Sequence, residues 1–155
     1  ALERRASMRY LGLAQLKKLP KFNARRTKNF KMLYKFFDQY PDHFILPEIH
    51  PASETYLLAF PLTIKPESPI IRNDLITYLE NNKIQTRPVF AGNIIHHPAY
   101  ANITSRTHGN LNNADLIMRN GFLIGIHHGL TDEMIEYMKK VFTQYLNNIK
   151  TSKLA

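Results

Sequence analysis

Cysteine is absent from this 155-residue chain, and glycine occurs only six times. Without thiols there can be no disulfide, no thiolate metal site and no cysteine nucleophile. So few glycines leave little backbone for a phosphate-binding loop, and neither a glycine-rich phosphate motif nor a G-x-S-x-G elbow is found. With 44% hydrophobic and 21% charged residues the chain should fold, but taken alone it does not have the features of a complete enzyme.

Long apolar runs are also missing. No stretch has the length of a membrane span, and the first residues, ALERRASMRYLGLAQLKKLPKF, are broken by charges where a signal peptide needs an apolar core. We expect a soluble, cytoplasmic protein of one compact domain.

Acidic residues are scarce, since 12 carboxylates face 21 lysines and arginines and the net charge is +9. The excess is concentrated before Asp38, where only Glu3 opposes the cations Arg4, Arg5, Arg9, Lys17, Lys18, Lys21, Arg25, Arg26, Lys28, Lys31 and Lys35. Such a cluster could meet the phosphates of a nucleic acid. A solvated helix face, or a helix against an acidic partner, explains it without nucleic acid.

The basic N-terminal part has helical periodicity. Apolar spacing predicts one helix from Ala6 to Leu19 that ends at Pro20, and a second from about Asn23 to Gln39. We interpret residues 1–40 as a helical arm with one apolar face, which some other surface must cover.

The remaining chain alternates strands and helices. Strands are predicted at 56–64, 84–90 and 122–128, and helices at 71–79, 114–119 and from Thr131 onward, with Thr131 as N-cap. Pro61 removes a backbone donor, so the first strand should lie at an edge or carry a bulge there. The expected fold is α/β (α+β): a two-layer sandwich with a small three-stranded sheet flanked by helices, occupying residues 41–150, followed by a tail at 151–155.

Seven histidines raise the possibility of a metal site. Neighbouring histidines in an extended segment point to opposite sides, and no spacing such as H-E-x-x-H accompanies them. We therefore predict no metal site and interpret the histidines as loop and strand-end residues: His43, His50, His96, His97, His108, His127 and His128.

The segment RPVFAGNIIHHPAY, residues 87–100, is the best candidate for function. Arg87 stands near the end of a predicted strand, where its planar guanidinium could bind a carboxylate or phosphate or could form a surface ion pair. Asn93 could be a turn residue, since asparagine tolerates a positive φ angle, or could contact a ligand.

Several blocks together resemble one known family. They are GLAQLKKLPKFNARRTKNF (12–30), LLAFPLTI (57–64), LITYLENNKIQTRPVFAGNIIHHPAY (75–100) and GNLNNADLIMRNGFLIGIHHGLTDEMIEYM (109–138). The chain is similar to the C-terminal part of the vitamin B6-dependent sugar aminotransferases and dehydratases, which have the aspartate aminotransferase fold. It looks most like the nucleotide-sugar 3-dehydratases of lipopolysaccharide and deoxysugar biosynthesis.

The resemblance implies a small domain that packs on a large cofactor-binding domain within a homo-oligomer, with the arm joining the two domains. It also implies loss of the sugar C3 hydroxyl with pyridoxal or pyridoxamine phosphate as electron sink. The large domain would hold that cofactor, so we expect this chain to bind none alone, to supply no catalytic residue and to be inactive by itself. The glycine-tyrosine-asparagine turn that the family has before GLAQL is replaced here by LERRASMRYL.

By resemblance of the R-x-x-F-x-G-N to H-P-x-Y block, we expect four substrate contacts: Arg87, Asn93, His97 and Tyr100. Dehydratase and aminotransferase chemistry both remain open. The alternative from another class is a non-enzymatic module whose basic arm binds an acidic partner or RNA.

Overall fold

The computed structural model describes the backbone of residues 2–152 and the side chains of residues 10–149. Four helices and four strands make up the fold. In chain order they are α1 (Leu2–Phe37), β1 (Phe44–Ile45), β2 (Ala59–Ile64), α2 (Arg72–Asn81), β3 (Thr86–Pro88), α3 (Asn112–Asn120), β4 (Gly121–Gly125) and α4 (Asp132–Ser152). Residues 153–155 of the predicted tail lie outside the described part, and α4 includes the two residues before them.

The strands form one antiparallel sheet in the order β1-β2-β4-β3. The predicted α/β (α+β) class is confirmed, but the predicted count of three strands is wrong. The additional strand, β1, has two residues and pairs only with Thr63 and Ile64. Two residues are too few to show a strand period within the proline-punctuated connection that contains them.

The alternation predicted for β2 is confirmed, because Phe60, Leu62 and Ile64 are all buried. Pro61 and Leu123 are opposite each other on the less buried face of the sheet. The predicted edge position or bulge at Pro61 is wrong, because β2 is an inner strand and has no bulge in its pairing with β4. Since β1 reaches only Thr63, the other side of Pro61 is unpaired, which is how the sheet accepts a residue without a backbone N–H.

α1 is one helix of 36 residues, so the predicted end at Pro20 is wrong. A proline in a helix interior costs about 3 kcal/mol, chiefly through one lost hydrogen bond and a clash with the preceding turn. The helix continues because its second half is anchored in the domain, where Leu33, Phe36 and Phe37 belong to the core. The apolar side chains of its first half are exposed: Tyr10, Leu11, Leu13, Leu16 and Leu19.

Ion pairs fasten the middle of α1 to the start of α4. The Arg25 guanidinium donates to the Leu130 carbonyl (Nε, 2.8 Å) and to Asp132 Oδ1 (2.7 Å), and Lys28 Nζ lies 2.6 Å from Asp132 Oδ2. The predicted cap of α4 is confirmed, since Thr131 Oγ1 accepts from the N–H of Met134 at 3.3 Å. Part of the basic cluster is therefore used inside the fold.

A buried amide completes this attachment. Asn29 has no exposed surface, and its Nδ2 donates to the carbonyl of His127 at 3.0 Å, just after β4. One helical turn away from Arg25, the Phe22 ring stacks on His128 with centroids 3.7 Å apart. We call Arg25, Lys28 and Asn29 the α1 clamp, because they hold one face of α1 against the β4–α4 connection.

Candidate functional site

The segment after β3 turns sharply and lies against α3. Gly92 has φ +62°, and a Cβ placed there would lie 2.7 Å from Met118 Cγ and 2.8 Å from Met118 Cα. A side chain is therefore excluded by backbone conformation and by space together. We call residues 89–100 the rim loop. From Gly92 onward this loop lies against α3.

Asn93 lies at the base of the rim loop and is only 4% exposed. Its φ is −99°, so Asn93 does not use the left-handed conformation that asparagine tolerates, and Gly92 takes that conformation instead. The Asn93 Oδ1 accepts from the N–H of Ile95 at 3.3 Å, and its Nδ2 donates to Asp115 Oδ1 at 2.7 Å. Both ends of this amide are thus engaged by the fold.

Asp115, on the first turn of α3, is the residue on which the rim loop converges. His96 Nε2 lies 3.0 Å from the same Oδ1 that Asn93 contacts. The hydrogen bond from Asn93, together with the charges of His96 and Arg119, holds the pKa of the Asp115 carboxyl below its ordinary value despite partial desolvation. The ionised carboxylate is the form that fastens the loop.

His97 closes the turn from the other side. Its Nε2 lies 2.8 Å from the carbonyl oxygen of Ala91. A carbonyl can only accept, so Nε2 carries the proton, and Nδ1 of a neutral ring is left as an acceptor. The half-buried ring thus spans the turn that contains Gly92.

Arg87 and Tyr100 differ from these two residues in being exposed, Tyr100 to 45%. Within residues 10–149, their side-chain polar groups have no hydrogen bond and no ion pair. The surface ion pair considered for Arg87 is therefore not found. The Arg87 charge acts on Glu80, whose pKa is lowered chiefly by hydrogen bonds from Thr86 and only secondarily by Arg87.

A cleft of about 580 Å³ opens beside the rim loop, between the start of α2 and α3. The Arg72 guanidinium, at its wall, donates to the carbonyls of Met118 (3.0 Å) and Gly121 (3.4 Å) and so joins α2 to the end of α3. In the lining, the cations Lys65, Arg72 and Arg119 outnumber the single carboxylate, Asp115, and the His96 ring lies beside them. This balance of charge suits an anionic ligand group.

Gly92 and Asp115 were not among the predicted site residues. Both lie inside the sequence blocks that carry the family resemblance, in AGN and in NNAD. Asp115 acts through its contact with Asn93, 22 positions earlier, and Gly92 through its close approach to Met118. Neither sequence block shows these contacts by itself. Within the described residues, no group of three or more histidines and carboxylates is placed to hold a metal ion.

The role of Asp115 predicts a pH dependence. Because folding lowers the Asp115 pKa, its contribution to stability is present above the ordinary value of about 3.9 and is lost as the pH falls through the lower folded value. Asp115→Ala should therefore lower the urea midpoint at pH 7 and make progressively less difference as the pH falls below about 4. Asp42→Ala, at an exposed loop position, is the control. A midpoint difference for Asp115→Ala that is the same at pH 7 and pH 3 would contradict this.

Solved structures define the class of this fold. An aminotransferase from Psychrobacter cryohalolentis superposes with a TM-score of 0.78 over 91% of this chain and 38% of that chain, at 17% identity. The E. coli GDP-4-keto-6-deoxy-D-mannose-3-dehydratase with bound hydrated PLP superposes with a TM-score of 0.74 at 30% identity, over 84% of this chain and 33% of that chain. The fold is that of one part of the PLP-dependent aminotransferases.

Residues 8–143 match the model of the DegT/DnrJ/EryC1/StrS aminotransferase family, and the chain belongs to that family. It is 38% identical over 134 residues to the lipopolysaccharide biosynthesis protein RfbH of Salmonella typhimurium, covering 86% of this chain and 31% of that protein. It is 32% identical over 136 residues to a dTDP-4-dehydro-2,6-dideoxy-D-glucose 3-dehydratase of Saccharopolyspora spinosa, covering 88% and 29%. The chain thus spans about a third of the length of these curated relatives.

No helix within residues 2–152 is long and apolar enough to cross a lipid bilayer.

Proposed function

We propose that this chain is the small, substrate-side domain of a nucleotide-sugar 3-dehydratase of deoxysugar or lipopolysaccharide biosynthesis. The observation that carries the proposal is a contrast in similarity. Proteins named as 3-dehydratases are 29–32% identical to this chain, whereas the solved structures named as aminotransferases are 17–19% identical. Dehydration is therefore favoured over amino transfer.

The geometry supports two roles for the four predicted contacts. Arg87 and Tyr100, exposed and free of partners among the described side chains, would contact the nucleotide-sugar directly. Asn93 and His97 are engaged with Asp115 and Ala91, and they would hold the rim loop, which carries Tyr100 and follows the strand that carries Arg87, in a fixed shape. A fixed loop lowers the entropy lost when substrate binds.

The cofactor would be held by a large domain outside this chain. In the cleft beside the rim loop the carboxylate of Asp115 is already bound to Asn93 and His96, so no acid is free there to pair with a pyridine nitrogen. The exposed leucines on the first half of α1 are suited to packing against such a domain, and we propose residues 1–40 as the connection to it. We also propose that the protein formed by the two domains is a homo-oligomer.

A chimaera tests the proposal. Residues 8–143 would replace the matching third of the Salmonella protein, and the product would be assayed for loss of the C3 hydroxyl from CDP-, GDP- and dTDP-linked 4-keto-6-deoxy sugars. The control is the same graft from the Psychrobacter aminotransferase, which shares the fold at 17% identity with this chain. Dehydration by the first graft alone is the expected result.

Two outcomes would contradict it. A chimaera that folds and binds pyridoxal phosphate but only transfers an amino group would indicate an aminotransferase. A stoichiometric cofactor absorbance band from the 155-residue chain alone would show that it contains a cofactor site of its own.

A further inference from the structure

Phe90 combines two unfavourable features. Its φ is +43°, in the left-handed region, and its side chain is 91% exposed. A positive φ is rare for a bulky residue and indicates strain where nothing local explains it. Because the phenyl ring is exposed to water, it also contributes no hydrophobic stabilisation to the fold.

The other non-glycine residue with positive φ has an ordinary explanation. Lys83 follows the end of α2, where its N–H bonds to the Glu80 carbonyl at 3.0 Å and that of Ile84 bonds to the Leu79 carbonyl at 2.9 Å. Left-handed residues are common at such helix ends. Phe90 follows a strand, so this explanation does not apply to it.

Contacts on both sides impose the conformation of Phe90. Its own N–H donates to the Pro88 carbonyl at 3.0 Å, and the N–H of Gly92 donates to the Val89 carbonyl at 3.1 Å, which closes a tight turn around Phe90. The His97 ring then binds the carbonyl of Ala91. The turn thus holds the phenyl ring out in solvent, on the segment that carries Arg87 and Tyr100.

We propose that Phe90 packs against the apolar face of the substrate's sugar ring, an inference that rests on the proposed function. A 6-deoxy sugar presents C–H groups and a methyl group, which match a phenyl face. The side chains beside Phe90 are those of Val89 and Ala91, which offer no donor or acceptor to the polar edge of a nucleobase. The ring therefore fits the sugar better than the base.

Phe90→Asn separates contact from structure. Asparagine tolerates the left-handed conformation, so the turn is retained while the ring is removed. In the chimaera, the dissociation constant for the 4-keto-6-deoxy nucleotide-sugar should rise about tenfold, the size of one lost aromatic contact. That for the matching nucleoside diphosphate without sugar should not change, and the thermal midpoint of the 155-residue chain should stay the same or rise. Phe90→Tyr, which keeps the ring, should restore sugar binding.

Each alternative has its own outcome. Equal weakening of both ligands would place the ring against the base, and unchanged binding of both would leave it in solvent; either result overturns the inference. A lower thermal midpoint for Phe90→Asn would make the ring structural and would also overturn it. If the chimaera with Phe90 intact shows no dehydration, the proposed function fails and this inference with it, whereas an active chimaera that is insensitive to Phe90→Asn removes the inference alone.

Discussion

Gly92→Ala is expected to lower the free energy of unfolding by about 2–5 kcal/mol. Two costs combine: alanine at a left-handed position loses about 1–2 kcal/mol, and overpacking a fixed neighbour costs about 1–3 kcal/mol. The neighbour is the first part of the Met118 side chain and its Cα, in the middle of α3, which cannot move aside as the end of a flexible side chain would. Urea denaturation of the 155-residue chain measures the loss.

Gly109→Ala is the matched control. Gly109 has φ +68°, but nothing lies within 4 Å of a Cβ placed there, so its substitution carries the conformational cost alone. If the chain avoids the clash at Gly92 by releasing the rim loop, the midpoint falls less, but the amide of Ile95 should then exchange faster as its bond to Asn93 is lost. Equal midpoints for the two variants, with unchanged exchange at Ile95, would show that Gly92 does not fasten the loop.

Arg87→Ala is expected to lower kcat/KM of the dehydratase chimaera about 10- to 100-fold with little change in the stability of the domain. Hydrogen bonds to a charged group contribute about 1.5–3 kcal/mol, and 1.4 kcal/mol is tenfold. Stability should change little, because the guanidinium has no hydrogen bond or ion pair among the described side chains and makes only a secondary electrostatic contribution at Glu80. Arg87→Lys should recover only part of the activity, since an ammonium keeps the charge but not the planar fork.

Arg106→Ala controls for a general effect of charge, since Arg106 is an exposed arginine in the loop before α3. Raising the salt concentration should weaken any contribution of long-range attraction in both variants alike. An equal loss of activity in the Arg106 and Arg87 variants would mean that Arg87 acts through net charge and not through a specific contact.

The periodicity of apolar residues in the sequence predicted the helices and strands that have one buried face. α2, α4 and β2 were all expected from apolar spacing, and their buried residues follow the 3.6-residue or two-residue repeat that the sequence shows. Two of the errors have local causes. β1 is too short to show a repeat, and Pro20 ends a helix only where packing of the following turns does not hold the helix together.

The site was predictable as a segment but not as a set of contacts. Arg87 and Tyr100 are exposed as expected of ligand-binding residues, while Asn93 and His97 are engaged with the fold. Residue type does not distinguish these cases, because an asparagine or histidine serves equally in either. The distinction depends on Asp115, which is brought to Asn93 only when α3 packs against β2 and β4.

α1 also has a mechanical consequence. Leu19 and Phe37 are eighteen residues apart, or about five helical turns, so the exposed leucine continues the line of a residue in the core. The α1 clamp fixes the rotation of the helix about its own axis. It therefore also fixes the direction in which Leu19 and the other exposed leucines of the first half face. Residues 2–21 project about 30 Å at 1.5 Å per residue, so a tilt of about 10° at Asp132 would move the far end by about 5 Å. The direction of the projecting half of α1 is therefore set beside the strand end that leads into α4.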